Sequence, residues 1–287
     1  MSAPGRLSTA QCVMLASLME VTAPKPGNVY RGADFEDLTY PDFLVAAIAI
    51  APLLEQAAER GLGETVLAAV EATHRTVGTN VNLGMILLLT PLAMVGREQQ
   101  LAAGVRQVLA RLTPADARNV YAAIRLARPG GLGRVETADV AGEAPDDLIE
   151  AMRLAAPRDL VARQYVEGFP HVFEFVVPRL TAALRAGSTV SEAIVNTHLA
   201  LMHEVPDSLI ARKCGAKVAE DSAARAGKVL DTGKWGDAAF HEELGDFDFW
   251  LRSDGHRRNP GTTADIIAAG LFALLRDDII EMPFRLA

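Results

Sequence analysis

The sequence predicts an all-α fold, a single helical domain over residues 1–287. Three observations lead there. Ala and Leu dominate and β-branched runs are few. Apolar residues recur mostly at helical spacing, and Gly, Pro and capping residues punctuate the apolar stretches. At 50% hydrophobic and 22% charged residues, the composition is globular and supplies a sizeable core. No repeat, low-complexity segment or linker divides the chain.

Ser8 or Thr9 caps a first helix over 9–22, with Val13, Ala16, Leu18 and Val21 on one broad face. Pro24-Lys25-Pro26-Gly27 ends it, since each proline biases its predecessor away from helix. A loop follows to residue 38. Thr39 and Pro41 start a second helix that runs to about Arg60. A third covers 64–77. Residues 78–84 interrupt, and a buried helix spans 85–95. Another covers 98–112, and Thr113-Pro114-Ala115-Asp116 caps the next, which reaches Arg128. An irregular loop is expected over 129–145. Its Gly131-Leu132-Gly133 follows a helix and lacks a third glycine, so it is not a dinucleotide loop. Helices resume over 146–155 and 158–166. Residues 169–185 read as a helix kinked at Pro178. Helices at 191–203 and 216–229 flank a turn, residues 231–261 are polar, and Thr262 or Thr263 caps a last apolar helix over 264–275.

The formal net charge of -8 argues against a general nucleic-acid surface, so a phosphate ligand must be held by a local basic cluster. Cys12 and Cys214 lie far apart and in no metal-type spacing, which suggests a reducing compartment such as the cytoplasm. The polar start shows no signal peptide. The apolar run Leu83–Val95 is shorter than the roughly 20 residues of a membrane span. His198 and His203 are five apart and do not share a helix face, so zinc is not expected there. Neither a nucleophile elbow nor a phosphate-binding P-loop is present.

Chemistry concentrates in turns. The stretch 20–42 carries Glu20, Asp34, Glu36, Asp37 and Asp42 around Lys25 and Arg31, on a rigid loop between apolar helices. Similar polar, glycine-containing turns lie at 78–84, 207–215 and 254–265. If their ends converge, one cleft holds Lys25, Asn28, Arg31, Asp37, Asn80, Asn82, Asp207, Arg212, Lys213, His256, Asn259 and Asp265. Glycines such as Gly84 and Gly261 let backbone approach a phosphate, and nearby carboxylates commonly hold Mg²⁺ bridged to phosphates.

Taken together, these turns resemble the ATP:dephospho-CoA triphosphoribosyl transferases, or triphosphoribosyl-dephospho-CoA synthases. Their first motif, Glu then Thr-Pro-Lys-Pro-Gly and an Asp-containing segment, is similar to Glu20, Thr22, Pro24-Lys25-Pro26-Gly27 and Asp37-Leu38. Their Val-Asn-Thr-His-Lys-Gly resembles Thr79-Asn80-Val81-Asn82-Leu83-Gly84. Asp207-Ser208 with Arg212 and Gly215 resembles a third motif. Asn259-Pro260-Gly261-Thr262-Thr263-Ala264-Asp265-Ile266-Ile267-Ala268 resembles the last. In the synthases a His and a Lys or Arg stand where this chain has Asn82 and Leu83, and a His where it has Phe35. The resemblance therefore implies a divergent branch, of a type linked to tetrahydromethanopterin biosynthesis and one-carbon metabolism.

The resemblance implies a transferase that moves a (phospho)ribosyl group from ATP or phosphoribosyl pyrophosphate to an acceptor hydroxyl, with Mg²⁺. On this reading Glu20 or Asp37 is the base or the carboxylate that stabilises an oxocarbenium-like sugar. Asp207 and Asp265 would hold Mg²⁺. Lys25, Arg31, Arg212 and Lys213 would take phosphates, with Asn80, Asn82 and Asn259 orienting sugar or base. Asn28, Gly84, His256 and Gly261 complete the nucleotide site. A Mg²⁺-dependent hydrolase of a nucleotide or ADP-ribosyl compound, or a non-catalytic nucleotide-binding protein, would use the same groups. The partners expected are small phosphorylated molecules, and the oligomeric state is left open.

Overall fold

The computed structural model describes residues 6–131, 139–280, 283, 285 and 286. The middle of the expected 129–145 loop, including Leu132 and Gly133, lies outside them, as do residues 1–5. The chain is all-helical. Fifteen α-helices occur among the described residues, with a short extended stretch at Ser253–His256.

Two helices form the centre. α5 (Leu83–Ala93) and α15 (Gly261–Arg276) pack on each other and are apolar on nearly all sides, as a fully enclosed helix must be. On α15 every residue from Thr262 to Arg276 is buried except Asp265. α1 (Thr9–Thr22) packs on α15 and on α2 (Tyr40–Glu55). α3 is the short turn Ala57–Arg60. α4 (Leu62–Val77) bridges α2 and α7 (Pro114–Ala127). α6 (Leu101–Leu109), α8 (Leu148–Ala155), α9 (Leu160–Glu167) and α10 (Val177–Arg185) complete the first part of the chain. On the far side α11 (Val190–Glu204) packs on α13 (Ala216–Thr232), which carries α12 (Ser208–Cys214) and α14 (Ala238–Arg252). The buried Arg276 guanidinium closes the base of the core, donating to the carbonyls of Val95 (3.1 Å), Gly96 and Gln99 (2.8 Å).

Local chemistry explains most helix ends. Ser8 with Gln11, and Thr113 with Asp116, form reciprocal capping boxes. Asp147 and Asp159 accept backbone N–H groups at the starts of α8 and α9.

Three expectations change. The second helix does not run unbroken to Arg60. Pro52 cannot donate, and at Gln56 the chain tightens through a Gln56 N–H bond to the Leu53 carbonyl (3.2 Å), separating α2 from α3. Residues 171–176 form a π-helical segment, not a simple kink. Pro178 lacks an N–H, and the wider turn, in which Val177 N–H reaches the Val172 carbonyl, accommodates it. Finally, the polar stretch 231–261 contains the fifteen-residue α14. Its Phe240, Leu244, Phe247 and Leu251 face the core at helical spacing while its acids face solvent.

Candidate active site

The four polar turns converge. They line one open cavity of about 920 Å³, in the upper part of the range of roughly 300–1,000 Å³ typical of ligand sites. Glu20, Asn28, Asp37, Asn80, Asn82, Gly84, Arg212, Lys213, His256, Asn259, Gly261 and Asp265 all contribute to its wall.

The inner wall is acidic. Asp265, on the first turn of α15, faces Gly84 on the first turn of α5. A Cβ on Gly84 would stand 1.9 Å from Asp265 Oδ2, so glycine leaves room for the carboxylate in this position. Burial and the neighbouring Glu20 carboxylate push the Asp265 carboxyl well above its ordinary range. Glu20 itself is buried at the end of α1 and is raised by the same loss of solvent, opposed by Lys25. Asn80 Oδ1 accepts the Leu83 N–H (3.1 Å), and Asn82 Oδ1 accepts the Thr73 hydroxyl (3.1 Å), which fixes the approach to α5.

Cations line the same cavity. Arg212 on α12 pairs with Asp159, which also caps α9, while its Nε is buried without a partner among the described residues. Lys213 reaches the His256 carbonyl (3.4 Å), and burial lowers its ammonium from the ordinary value. Arg125 and Arg128 at the end of α7, and Arg158 ahead of α9, line the same cavity. A chain of net charge -8 thus gathers five permanent or near-permanent cations around one cleft. Sequence reasoning missed Arg125, Arg128 and Arg158 because none lies in a glycine turn with an acid beside it. The one available signal was the Arg125–Arg128 pair, three apart, just ahead of Pro129-Gly130-Gly131.

The rim is the 24–38 loop, held by α14. Asp248 accepts the Gly27 N–H (2.7 Å) and pairs with Arg252, which donates to the Asn28 carbonyl and lies over the Tyr30 and Phe35 rings. Gly27, at φ 74°, lies so close that a Cβ would meet Leu251 Cδ1 at 2.7 Å. The loop carries Asp37 to 3.1 Å from His256 Nδ1, and the imidazole stands near-perpendicular to the Phe35 ring with centroids 5.7 Å apart. Asn28 Nδ2 is buried with no partner among the described residues, a donor on the cavity wall.

Three expected ligands are elsewhere. Lys25 does not reach the cavity: it is 0% exposed, and its Nζ is occupied by Glu20 Oε1 (2.9 Å) and the carbonyls of Glu20 and Ala23 (3.3 Å for the latter). Asp207 cannot serve as a Mg²⁺ ligand. Its Oδ1 accepts Leu209 N–H (2.8 Å) and Ile210 N–H (3.0 Å), and its Oδ2 accepts Thr263 N–H (2.7 Å) and the Thr263 hydroxyl (2.8 Å). It is a bracket joining the starts of α12 and α15, and Thr263 serves that bracket, not a cap of its own helix. Arg31 is exposed and falls outside the cavity lining. His198 is fully buried with neither ring nitrogen partnered among the described residues, and His203 Nδ1 meets the Ala223 carbonyl (3.2 Å). Among the described residues, no group of three His, Cys, Asp or Glu is set to hold a metal, and no helix is long and apolar enough to cross a membrane.

A family model described as ATP:dephospho-CoA triphosphoribosyl transferase matches residues 6–283. A protein of Pseudomonas savastanoi pv. phaseolicola named as a 2-(5''-triphosphoribosyl)-3'-dephosphocoenzyme-A synthase is 28% identical over 159 residues, 55% of this chain and 53% of that one. A Stutzerimonas stutzeri protein of the same name is 32% identical over 39% of each chain. These alignments span about half or less of the curated relatives' length. A crystal structure from Archaeoglobus fulgidus, assigned as a triphosphoribosyl-dephospho-CoA synthase, superposes with a TM-score of 0.64 at 29% identity, over 82% of this chain and 98% of that one.

Proposed function

From the premise that the chain belongs to the ATP:dephospho-CoA triphosphoribosyl transferase family, we propose that it transfers the triphosphoribosyl group of ATP to a hydroxyl of a dephospho-CoA-like acceptor. In that reaction the bond from the ribose C1 to adenine breaks and a C1–O bond to the acceptor forms, through an oxocarbenium-like sugar.

One observation supports the reading above the rest: a single cavity is lined both by the acids Glu20 and Asp265 and by five Arg and Lys side chains. The Glu20 and Asp265 carboxyl groups belong to the cavity wall, where an approaching cationic sugar would favour their ionised form. Arg212 and Lys213, with Arg125, Arg128 and Arg158 beyond them, suit a triphosphate, since charge-assisted contacts to phosphate are the strong ones. These cations offset the basic groups absent at Asn82 and Leu83. Asn28, Asn80, Asn82 and Asn259 would orient the ribose or base, and Gly84 and Gly261 leave room for close approach.

Mg²⁺ typically takes one or two carboxylates and completes its shell with water and phosphate oxygens. Asp265, partly exposed in the cavity, fits as one such carboxylate, whereas Glu20 Oε1 is held by Lys25 (2.9 Å).

The test is adenine release from ATP, followed with and without dephospho-CoA. Transfer requires release that depends on the acceptor. Release without acceptor would indicate a hydrolase, and ligand-raised melting without release a binding protein. Phosphoribosyl pyrophosphate with a ribitol-bearing pterin precursor is the parallel arm, because the Asn82 and Leu83 departures are compatible with a changed donor and acceptor.

A further inference from the structure

We propose that His256 is the base that takes the acceptor's hydroxyl proton, and that Asp37 is the residue that positions it; this rests on the transfer reading above. His256 Nδ1 lies 3.1 Å from Asp37 Oδ1, and both side chains belong to the cavity wall. A ring nitrogen that faces a carboxylate carries the proton, which leaves the lone pair on Nε2. Such a carboxylate fixes tautomer and orientation, as in other acid–imidazole pairs. The imidazole is also the better base of the two. Imidazole is the side chain most often found in that role.

The pair is built on held backbone. The His256 carbonyl accepts Lys213 Nζ (3.4 Å) and the Asn259 N–H (3.3 Å), and the Phe35 ring packs near-perpendicular to the imidazole. Asp37 rides on the loop that Asp248 and Arg252 clamp. Asp37 from the loop pairs with the His256 ring, and Lys213 from α12 meets its backbone carbonyl. On its own segment Asp254 and Arg257 pair with each other at 3.3 Å. At 38% side-chain exposure His256 is open enough to meet an acceptor and return its proton to solvent.

In the step, the acceptor oxygen bonds to C1 while its proton passes to His256 Nε2. The C1–N bond breaks, and adenine leaves with the electron pair and is protonated from solvent. His256 then releases its proton to solvent, so the net change is exchange of adenine for the acceptor oxygen.

The experiment measures acceptor-dependent adenine release by wild type, His256→Ala, His256→Gln and Asp37→Asn across pH. A positioned base contributes roughly 10²–10⁴-fold, so both His256 variants should lose at least about 100-fold in kcat with KM for ATP little changed and melting temperature kept. Added imidazole should restore part of the His256→Ala rate. The acidic limb of the wild-type pH profile should vanish in both His256 variants and move in Asp37→Asn. Wild-type transfer with full kcat in His256→Ala would overturn the base assignment alone. Wild type that forms no acceptor adduct would overturn the transfer reading and the base with it.

Discussion

Gly84→Ala is the sharpest single perturbation of the cavity floor. The added Cβ would lie 1.9 Å from Asp265 Oδ2 and 2.7 Å from its Cγ, where ordinary contact begins at 3.4 Å. The carboxylate or the start of α5 must therefore move by 3.4 - 1.9 = 1.5 Å. A misplacement of about 1 Å can cost 100-fold in rate, so kcat/KM should fall at least about 100-fold, or about 2.7 kcal/mol of transition-state stabilisation. Stability should change less. Overpacking costs about 1–3 kcal/mol, and replacing a helical glycine by alanine returns about 1 kcal/mol, leaving a net loss of about 0–2 kcal/mol. Gly245→Ala is the control. It sits on the exposed face of α14 with nothing within 4 Å of its Cβ, so it should gain about 0.5–1 kcal/mol and keep full activity. The assays are acceptor-dependent adenine release and thermal unfolding. If Gly84→Ala behaves like Gly245→Ala, the close apposition of α5 and Asp265 has no part in the chemistry.

Two further perturbations separate support from chemistry. Lys25→Met removes one partner of a fully enclosed ion pair, which costs about 3–5 kcal/mol; calorimetry should show that loss, and Glu20→Gln in the same chain should recover part of it, whereas an unshifted melt would disprove the enclosure. Asp265→Asn should abolish transfer yet raise the melting temperature at pH 8. The folded chain holds the Asp265 proton to higher pH than the unfolded chain does, so this group's contribution to stability is full below the ordinary carboxylate value and is lost as pH rises through the raised one. Measured with a chelator present, the advantage of the variant should shrink as pH falls toward about 4, the ordinary carboxylate range; an advantage independent of pH would contradict the raised carboxyl.

Much of this architecture was legible because it is local. The capping boxes at Ser8 and Thr113 and the prolines at 24 and 26 place helix ends by short-range chemistry. The polar turns pointed to a common site because binding residues fall disproportionately on loops held by a rigid scaffold. What could not be read was depth. Lys25 in Pro24-Lys25-Pro26-Gly27 has the sequence of an exposed phosphate ligand, and only the packing of α1 shows it enclosed beneath Glu20. Asp207 likewise has the sequence of a metal ligand, and its four donors come partly from Thr263, 56 residues away. α14 was hidden by composition: its acids and Gly245 drew attention from the Phe240, Leu244, Phe247, Leu251 stripe. The cost of that omission was functional, because α14 supplies the Asp248–Arg252 clamp that sets Asp37 against His256.

The most direct test of the proposed chemistry is mass spectrometry of the acceptor after incubation with ATP, Mg²⁺ and dephospho-CoA. The account predicts an acceptor heavier by one triphosphoribosyl group, with free adenine in equal amount and neither product formed by Asp265→Asn. Adenine and free ribose triphosphate beside an unchanged acceptor would contradict it.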